Sequence, residues 1–220
     1  NKAQYPVALV SGDVAVGFYA KRSHRVVPNE GCGIQNDISA RAAAIVRDFI
    51  KRNNISVYDE TTGKGVVRHV VVRTAFKTGE AMVILVINAD GIPAKEKLVE
   101  MITKEIPAVK SIFLNINRKN TNVVLGEKDV NIYGKKTITD YIGRLRFEIS
   151  PRSFFQVNPV QTEILYGKAL EYADLTGNET VFDLYCGIGT ISLFLSQRAK
   201  KVYGIEEVEA AVEDARENAR

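Results

Sequence analysis

Between Thr180 and Glu206 the chain reads as an apolar strand, a glycine turn, an apolar helix and a second apolar strand. No other feature limits the possible folds as much. Thr180-Val181-Phe182-Asp183-Leu184 has strand character, and the glycine turn runs through Gly187 and Gly189. Ile191, Leu193, Phe194 and Leu195 mark the helix, and Lys201-Val202-Tyr203-Gly204-Ile205 is the second strand. After it, Val208, Val212, Ala215 and Ala219 recur at helical intervals. Upstream, Asn158-Pro159 has the form of an N-cap followed by proline at the first helical position. Val160, Ile164, Leu165, Ala169 and Tyr172 then form a helical stripe that ends before Gly177. Strand–helix–strand–helix is the opening of a doubly wound parallel sheet. Two parallel strands do not bury both faces of such a sheet. The chain also lacks an initial methionine and stops inside a helix without a C-cap signal, so the sequence is expected to be an internal fragment of a longer protein.

The first 150 residues follow a different pattern. Val66–Arg73 and Ala81–Ile87 are β-branched, apolar runs separated by Lys77-Thr78-Gly79-Glu80, which predicts a hairpin. Ser111–Ile116 and Arg144–Ile149 read as further strands, the second with clean alternation. Asp37 to Arg52 places Ile38, Ala42, Ile45, Val46 and Phe49 on one helical face, and a second helix is predicted from Pro93 to Ile106. Strands with segregated helices predict an α+β domain with an antiparallel sheet over 1–152. Residues 153–220 are predicted to be the start of a Rossmann-like α/β domain.

Charge is divided unevenly along the chain. The net +4 resolves into +8 for residues 1–150 and −4 for residues 151–220. A basic segment of this kind suits a polyanion such as RNA, or is simply a solvated basic surface. Lys21, Arg22 and Arg25, in a loop with Phe18 and Tyr19, admit the same two accounts: phosphate and base contacts, or solvation. Two cysteines 154 positions apart exclude a disulfide framework and fit a reducing, cytoplasmic setting. No run approaches the roughly 18 apolar residues a membrane helix needs, so no membrane partner is expected. The N-terminal Asn1-Lys2-Ala3-Gln4 lacks the apolar core of a signal peptide.

The chemistry concentrates at the glycine turn. Gly187 and Gly189 let the backbone turn tightly and approach a ligand. Glu206, 19 residues after Gly187, ends the second strand, where an acid accepts hydrogen bonds from both hydroxyls of a ribose. A dinucleotide fingerprint needs a third glycine, and Ser192 stands there instead. Asp183 precedes the glycines by four positions, where a pyrophosphate would bring negative charge. A carboxylate there suits a cationic cofactor, and S-adenosyl-L-methionine carries a sulfonium and an ammonium. Asp-x-x-x-Gly-x-Gly followed by a strand-ending acid therefore reads as a methyltransferase cofactor loop, with a dinucleotide fold as the alternative.

A specific resemblance adds to this reading. Ser153-Phe154-Phe155-Gln156-Val157-Asn158-Pro159, followed by Val181-Phe182-Asp183-Leu184-Tyr185-Cys186-Gly187-Ile188-Gly189-Thr190, resembles the bacterial RNA (uracil-C5-)-methyltransferase family. Gly17–His24 and Cys32-Gly33-Ile34-Gln35 are similar to the central domain of that family. The members make 5-methyluridine in 23S ribosomal or transfer RNA, and the resemblance favours ribosomal RNA, with a cytoplasmic monomer expected. It implies that Gln156 hydrogen-bonds the cofactor, that Tyr185 lines the cofactor pocket and that Glu206 holds the ribose. Thr190 stands where some relatives have a cofactor-contacting asparagine. Asp183, Gly187 and Gly189 complete the expected cofactor-binding set. Phe154 and Phe155 are expected in the core, although Gln156 also reads as a polar strand end and Tyr185 as packing.

In the family chemistry a cysteine adds to C6 of an extruded uracil, C5 attacks the methyl group, and a carboxylate removes the C5 proton as the cysteine leaves C6. The resemblance places nucleophile and base beyond residue 220, so this chain alone is expected to be inactive. Cys186, inside the cofactor loop, reads as packing or a cofactor neighbour rather than the nucleophile. Cys32 matches the fourth, isolated ligand of a [4Fe–4S] site found in many members; one thiolate is at most one corner of a cluster, and a free cysteine is the alternative. His24 and His69 have no partners at metal-ligand spacing. A methyltransferase acting on another nucleic-acid base and a non-enzymatic RNA-binding module are the competing functions.

Overall fold

A computed structural model describes all 220 residues. They form two compact units, residues 1–74 with 79–136, and residues 75–78 with 137–220. The sequence-based division at 152/153 thus differs from the division by contacts, which falls at 136/137.

The first unit is built on seven strands: β1 (Lys2–Val10), β2 (Asp13–Tyr19), β3 (Val26–Pro28), β4 (Val67–Thr74), β5 (Ala81–Ile87), β6 (Val109–Ile116) and β7 (Lys128–Gly134). Their spatial order is β3-β2-β1-β4-β5-β6-β7. Every pair is antiparallel except β5–β6, so the sheet is mixed and mostly antiparallel. The parallel pair arises because the β5–β6 connection carries a helix, as a parallel crossover requires.

Helix α1 (Asp37–Arg52) has the predicted limits. The Asn36 side chain accepts from the Ile38 amide at its start, and Lys51 and Arg52 stand in the last turn, opposite the helix dipole. Its Ala42, Val46, Phe49 and Ile50 join Val70, Val72, Val83, Leu85, Ile112 and Leu114 of the sheet in one apolar cluster. Helix α2 (Lys95–Glu105) starts two residues later than Pro93 predicts. Ile92 is buried, and the chain turns from it into the helix through Ala94 in the left-handed region, φ 53°. Pro93 therefore lies in that turn and not in the helix.

The second unit opens with the hairpin β8 (Ile138–Ile142) and β9 (Leu145–Ile149), paired only with each other. Phe147 packs against Phe155, ring centroids 5.8 Å apart. Buried Asp140 accepts the amides of Phe76 and Lys77, each at 2.8 Å, which makes residues 75–78 part of this unit. Then come α3 (Pro159–Ala173), β10 (Thr180–Leu184), α4 (Thr190–Ser196), β11 (Lys201–Ile205) and α5 (Glu209–Asn218). Strands β10 and β11 are parallel and in register, Asp183 opposite Gly204, giving the predicted strand–helix–strand–helix order.

Helix α3 starts as predicted, with Asn158 capping the Gln161 amide and Pro159 in the first turn. Its apolar stripe does not face the interior. Val160, Ile164, Leu165 and Tyr172 are exposed, while Thr162 and Tyr166 on another face are buried. Tyr166 gains a partner there, packing edge-on against Phe194 and hydrogen-bonding Thr190 through its hydroxyl. Phe154 also departs from expectation: it is 70% exposed, whereas Phe155 is buried as predicted.

Candidate cofactor site

The C-terminal ends of β10 and β11 bring Asp183, Gly187, Gly189, Thr190 and Glu206 into one small region. The register sets this up, because Asp183 and Gly204 are opposite neighbours and the glycine turn leaves the strand two residues later. Gly187 and Gly189 have φ of 56° and 82°, so the turn uses the left-handed conformations that glycine adopts without strain. Gly204 has a steric role. A Cβ there would lie 2.8 Å from Cys186 Sγ, closer than real contacts allow.

Glu206 ties the two strand ends together. Its Oε2 accepts the Gly187 amide at 3.0 Å, and its Oε1 accepts the Val208 amide at 2.9 Å. These amides, Val208 first and then Gly187, hold the carboxyl below its ordinary pKa, so it is ionised near neutral pH. A carboxylate has about four acceptor positions, and two amides leave room for further donors. Asp183 accepts from the Ser192 hydroxyl, which orients it. The sequence alone marks Ser192 only as the place of a missing glycine; its hydroxyl bond to Asp183 is visible only in the fold.

Three other residues need individual description. Thr190 is the first residue of α4, with its hydroxyl 2.9 Å from that of Tyr166, a contact between distant positions that no local pattern reports. Tyr185 belongs to the turn but is 89% exposed, with φ 65°, a region that disfavours a residue with a side chain. Gln156 is half-buried in the same unit, at the end of the segment that follows β9. Cys186 is held protonated: burial raises its pKa, and Asp183 and Glu206 add to the effect. An inert neighbour fits this environment, since a nucleophilic cysteine needs the opposite shift.

A cleft of about 540 Å³ adjoins the turn, lined by Cys186, Gly189, Ser192, Gly204, Glu206 and Ala215 among others. It joins polar groups at the strand ends to an apolar interior, the composition typical of small-molecule sites. No group of three His, Cys, Asp or Glu side chains is placed to hold a metal ion. Cys32, a half-buried free thiol in the first unit, has no companion thiolate. The residues of this chain thus do not by themselves fit an iron–sulfur cluster.

No family model matches the chain. Curated relatives do. It is 54% identical over 220 residues to an uncharacterized RNA methyltransferase of Caldanaerobacter subterraneus subsp. tengcongensis, covering all of this chain and 49% of that protein. It is 51% identical over 220 residues to an uncharacterized RNA methyltransferase of Clostridium acetobutylicum, again covering the whole chain and 48% of that protein. The chain therefore spans about half the length of the curated relatives it matches. Among solved structures, the tRNA (uracil-54, C5)-methyltransferase of Pyrococcus abyssi, in complex with S-adenosyl-L-homocysteine, matches with a TM-score of 0.80 and 28% identity. The match covers 100% of this chain and 52% of that one.

Proposed function

We propose that the protein carrying this chain transfers a methyl group from S-adenosyl-L-methionine to C5 of a uridine in RNA, with 23S ribosomal RNA as the favoured substrate. The observation that carries this reading is the structural match, over the whole of this chain and 52% of the other, to a tRNA uracil-C5 methyltransferase in complex with S-adenosyl-L-homocysteine. The curated RNA methyltransferase relatives support the same class. Transfer RNA is the alternative substrate, and the family resemblance is what favours ribosomal RNA over it.

When bound, the cofactor supplies an electrophilic methyl group. The task of this chain is then to hold the cofactor. The carboxylate of Glu206, fixed by two amides, is positioned to accept ribose hydroxyls. Asp183, half-buried and held by Ser192, places negative charge where a cationic cofactor bears its sulfonium and ammonium. Gly187 and Gly189 let the backbone approach the ligand. The first unit, with 20 Lys/Arg against 13 Asp/Glu, supplies positive potential for RNA, while the second, with 10 against 13, does not. We assign the nucleophilic cysteine and the base to residues outside this chain, as the family resemblance implies. In the same scheme Gln156 contacts the cofactor and Tyr185 covers it.

The test is methylation by the protein expressed from its own complete gene, with labelled S-adenosyl-L-methionine and 23S rRNA or tRNA transcripts. Nucleoside mass spectrometry then identifies the product. 5-Methyluridine in the ribosomal transcript is the expected result. The same nucleoside only in tRNA would revise the substrate, and a different methylated base would overturn the reading.

A further inference from the structure

We propose that Asp214 and Asn218 of α5 are positioning residues that set the geometry of the cofactor site. This rests on the cofactor reading above. The two residues are four apart, so they share one helix face, and both turn polar atoms onto backbone or hydroxyl groups of the site's supporting segments. Asp214 Oδ2 accepts from Ser150 Oγ at 2.7 Å and from Ser153 Oγ at 2.8 Å. Ser153 is buried, and its Oγ also accepts the Ser150 amide at 2.8 Å. The segment leading to Gln156 is thereby fastened to α5 by one carboxylate.

Asn218 makes the second attachment. Its Oδ1 accepts the Glu148 amide of β9 at 2.8 Å, and its Nδ2 donates to the Ile188 carbonyl at 3.2 Å. The orientation of this side-chain amide is unambiguous, because a backbone N–H only donates and a backbone C=O only accepts. Ile188 is buried and lies between Gly187 and Gly189, so Asn218 grips the glycine turn at its centre. The start of α5 is tied as well, since Glu206 accepts the amide of Val208 just before the helix. One helix therefore connects the segment before Gln156, the glycine turn and the strand end that presents Glu206.

This arrangement has a functional consequence beyond holding the unit together. A cofactor site must be held to within a fraction of an ångström, and it is most precise where its supports are fixed by hydrogen bonds. Asn218→Asp keeps the size and the acceptor for Glu148 but places a carboxylate oxygen against the Ile188 carbonyl. Asp214→Asn keeps an acceptor oxygen for the serines, whereas Asp214→Ala removes it.

The experiment uses the protein expressed from its complete gene and measures S-adenosyl-L-homocysteine binding by calorimetry, well below the melting temperature. Asn218→Asp and Asp214→Ala are expected to raise the dissociation constant about tenfold. KM for the cofactor should rise in parallel, with KM for RNA unchanged, and Asp214→Asn should restore most of the affinity. Ile142→Val, a buried change in β8 of the same unit, controls for stability and should lower the melting temperature without weakening binding. Unchanged binding in Asn218→Asp overturns the proposal, as does a loss of affinity that merely follows melting temperature across all the variants, Ile142→Val included. If the unsubstituted protein fails to bind S-adenosyl-L-homocysteine, the cofactor reading itself falls, and this proposal with it.

Discussion

Strands β5 and β10 are both short and apolar, and each lies parallel to its next neighbour in sequence, yet their surroundings differ. Every residue of β5 is buried. Along β10, Val181 and Asp183 are half-covered while Phe182 and Leu184 are exposed, and Tyr203 and Ile205 are likewise exposed on β11. Parallel strands are stable when both faces are covered. In the first unit the face holding Val83 and Leu85 packs with α1 and α2, and the alternate residues Met82, Ile84 and Val86 are buried as well. In the second unit α4 packs against β10 and β11, and the alternate side chains stand open. Apolar alternation in a sequence thus tells what a strand is suited to bury, and the surrounding chain decides whether it does.

The largest effect expected from this contrast is in stability. Phe49→Ala removes a fully buried ring from the first unit and should cost about 3–5 kcal/mol. Phe182→Ala removes a ring that is 62% exposed and stacked on Tyr203 with centroids 5.2 Å apart, so it should cost no more than about 1 kcal/mol. Urea unfolding of the 220-residue chain, followed by a probe in each unit, gives both values. Equal losses would mean that the two sheets are covered alike.

Acid should separate the units next. His69 is buried in the first unit, and its pKa is pushed down to about 4, chiefly by burial and then by the Arg68 charge. Its Nε2 lies 3.4 Å from the Tyr19 hydroxyl, which itself donates to Glu60, and its Nδ1 has no partner. A proton added at Nδ1 would find no acceptor. In the unfolded chain the imidazole titrates near its ordinary 6.5, so the unfolded state binds the proton first. The stability from neutral His69 is complete above about pH 6.5 and is lost as pH falls towards 4, by roughly 3 kcal/mol at most. In the second unit Glu163, Glu179 and Glu206 have lowered pKa values, Glu179 reaching about 2 through its contacts with Thr176. Their contribution is lost only below about pH 4.5, the ordinary carboxyl range. Denaturant midpoints at pH 7 and pH 5 should therefore fall for the first unit and hold for the second, and His69→Gln should abolish the difference.

At the candidate cofactor site, Glu206→Ala removes a charged acceptor from two amides and, in the proposed complex, from the ribose. A loss of about 2 kcal/mol in S-adenosyl-L-homocysteine binding is expected, on the scale of hydrogen bonds to charged groups. Affinity that does not change would show that the ribose is held by another group. Glu206 belongs to the second unit, so the first-unit transition should not move in this variant.

Much of the second unit was legible locally, because helix caps, glycine turns and strand-ending acids act over a few residues. Asn158, Pro159, Gly187, Gly189 and Glu206 occupy the structural positions their types predicted. In the first unit α1 was legible to its limits, for the same reason. Strands β1, β2, β3 and β7 were not singled out. Strand β1 carries Pro6 and pairs with β4, Tyr5 opposite Val70, a contact between distant positions that no local pattern reports. The apolar spacing of α3 marks its helix correctly, but periodicity identifies a face without saying what lies against it, and Val160, Ile164, Leu165 and Tyr172 are exposed. Asp214, Asn218 and Ser192 were missed since their partners lie 9 to 70 residues away.

Tyr185 gives the smallest expected effect and the sharpest distinction between a turn that serves the fold and one that serves a ligand. Its φ of 65° costs roughly 1–2 kcal/mol for a residue with a Cβ, and at 89% exposure its ring recovers little by packing. A buried strand such as β5 contains no comparable expense. Tyr185→Gly relieves the strain but adds freedom to the unfolded chain, so a net gain of about 0.5 kcal/mol in stability is expected. If the ring covers a bound cofactor, the same change weakens S-adenosyl-L-homocysteine binding a few-fold, through the lost aromatic contact. Stability and affinity then move in opposite directions, as they do where strain is held at a functional position. A variant that binds equally well would leave Tyr185 as an unexplained strained residue, and one that is less stable would show that the ring contributes to the fold after all.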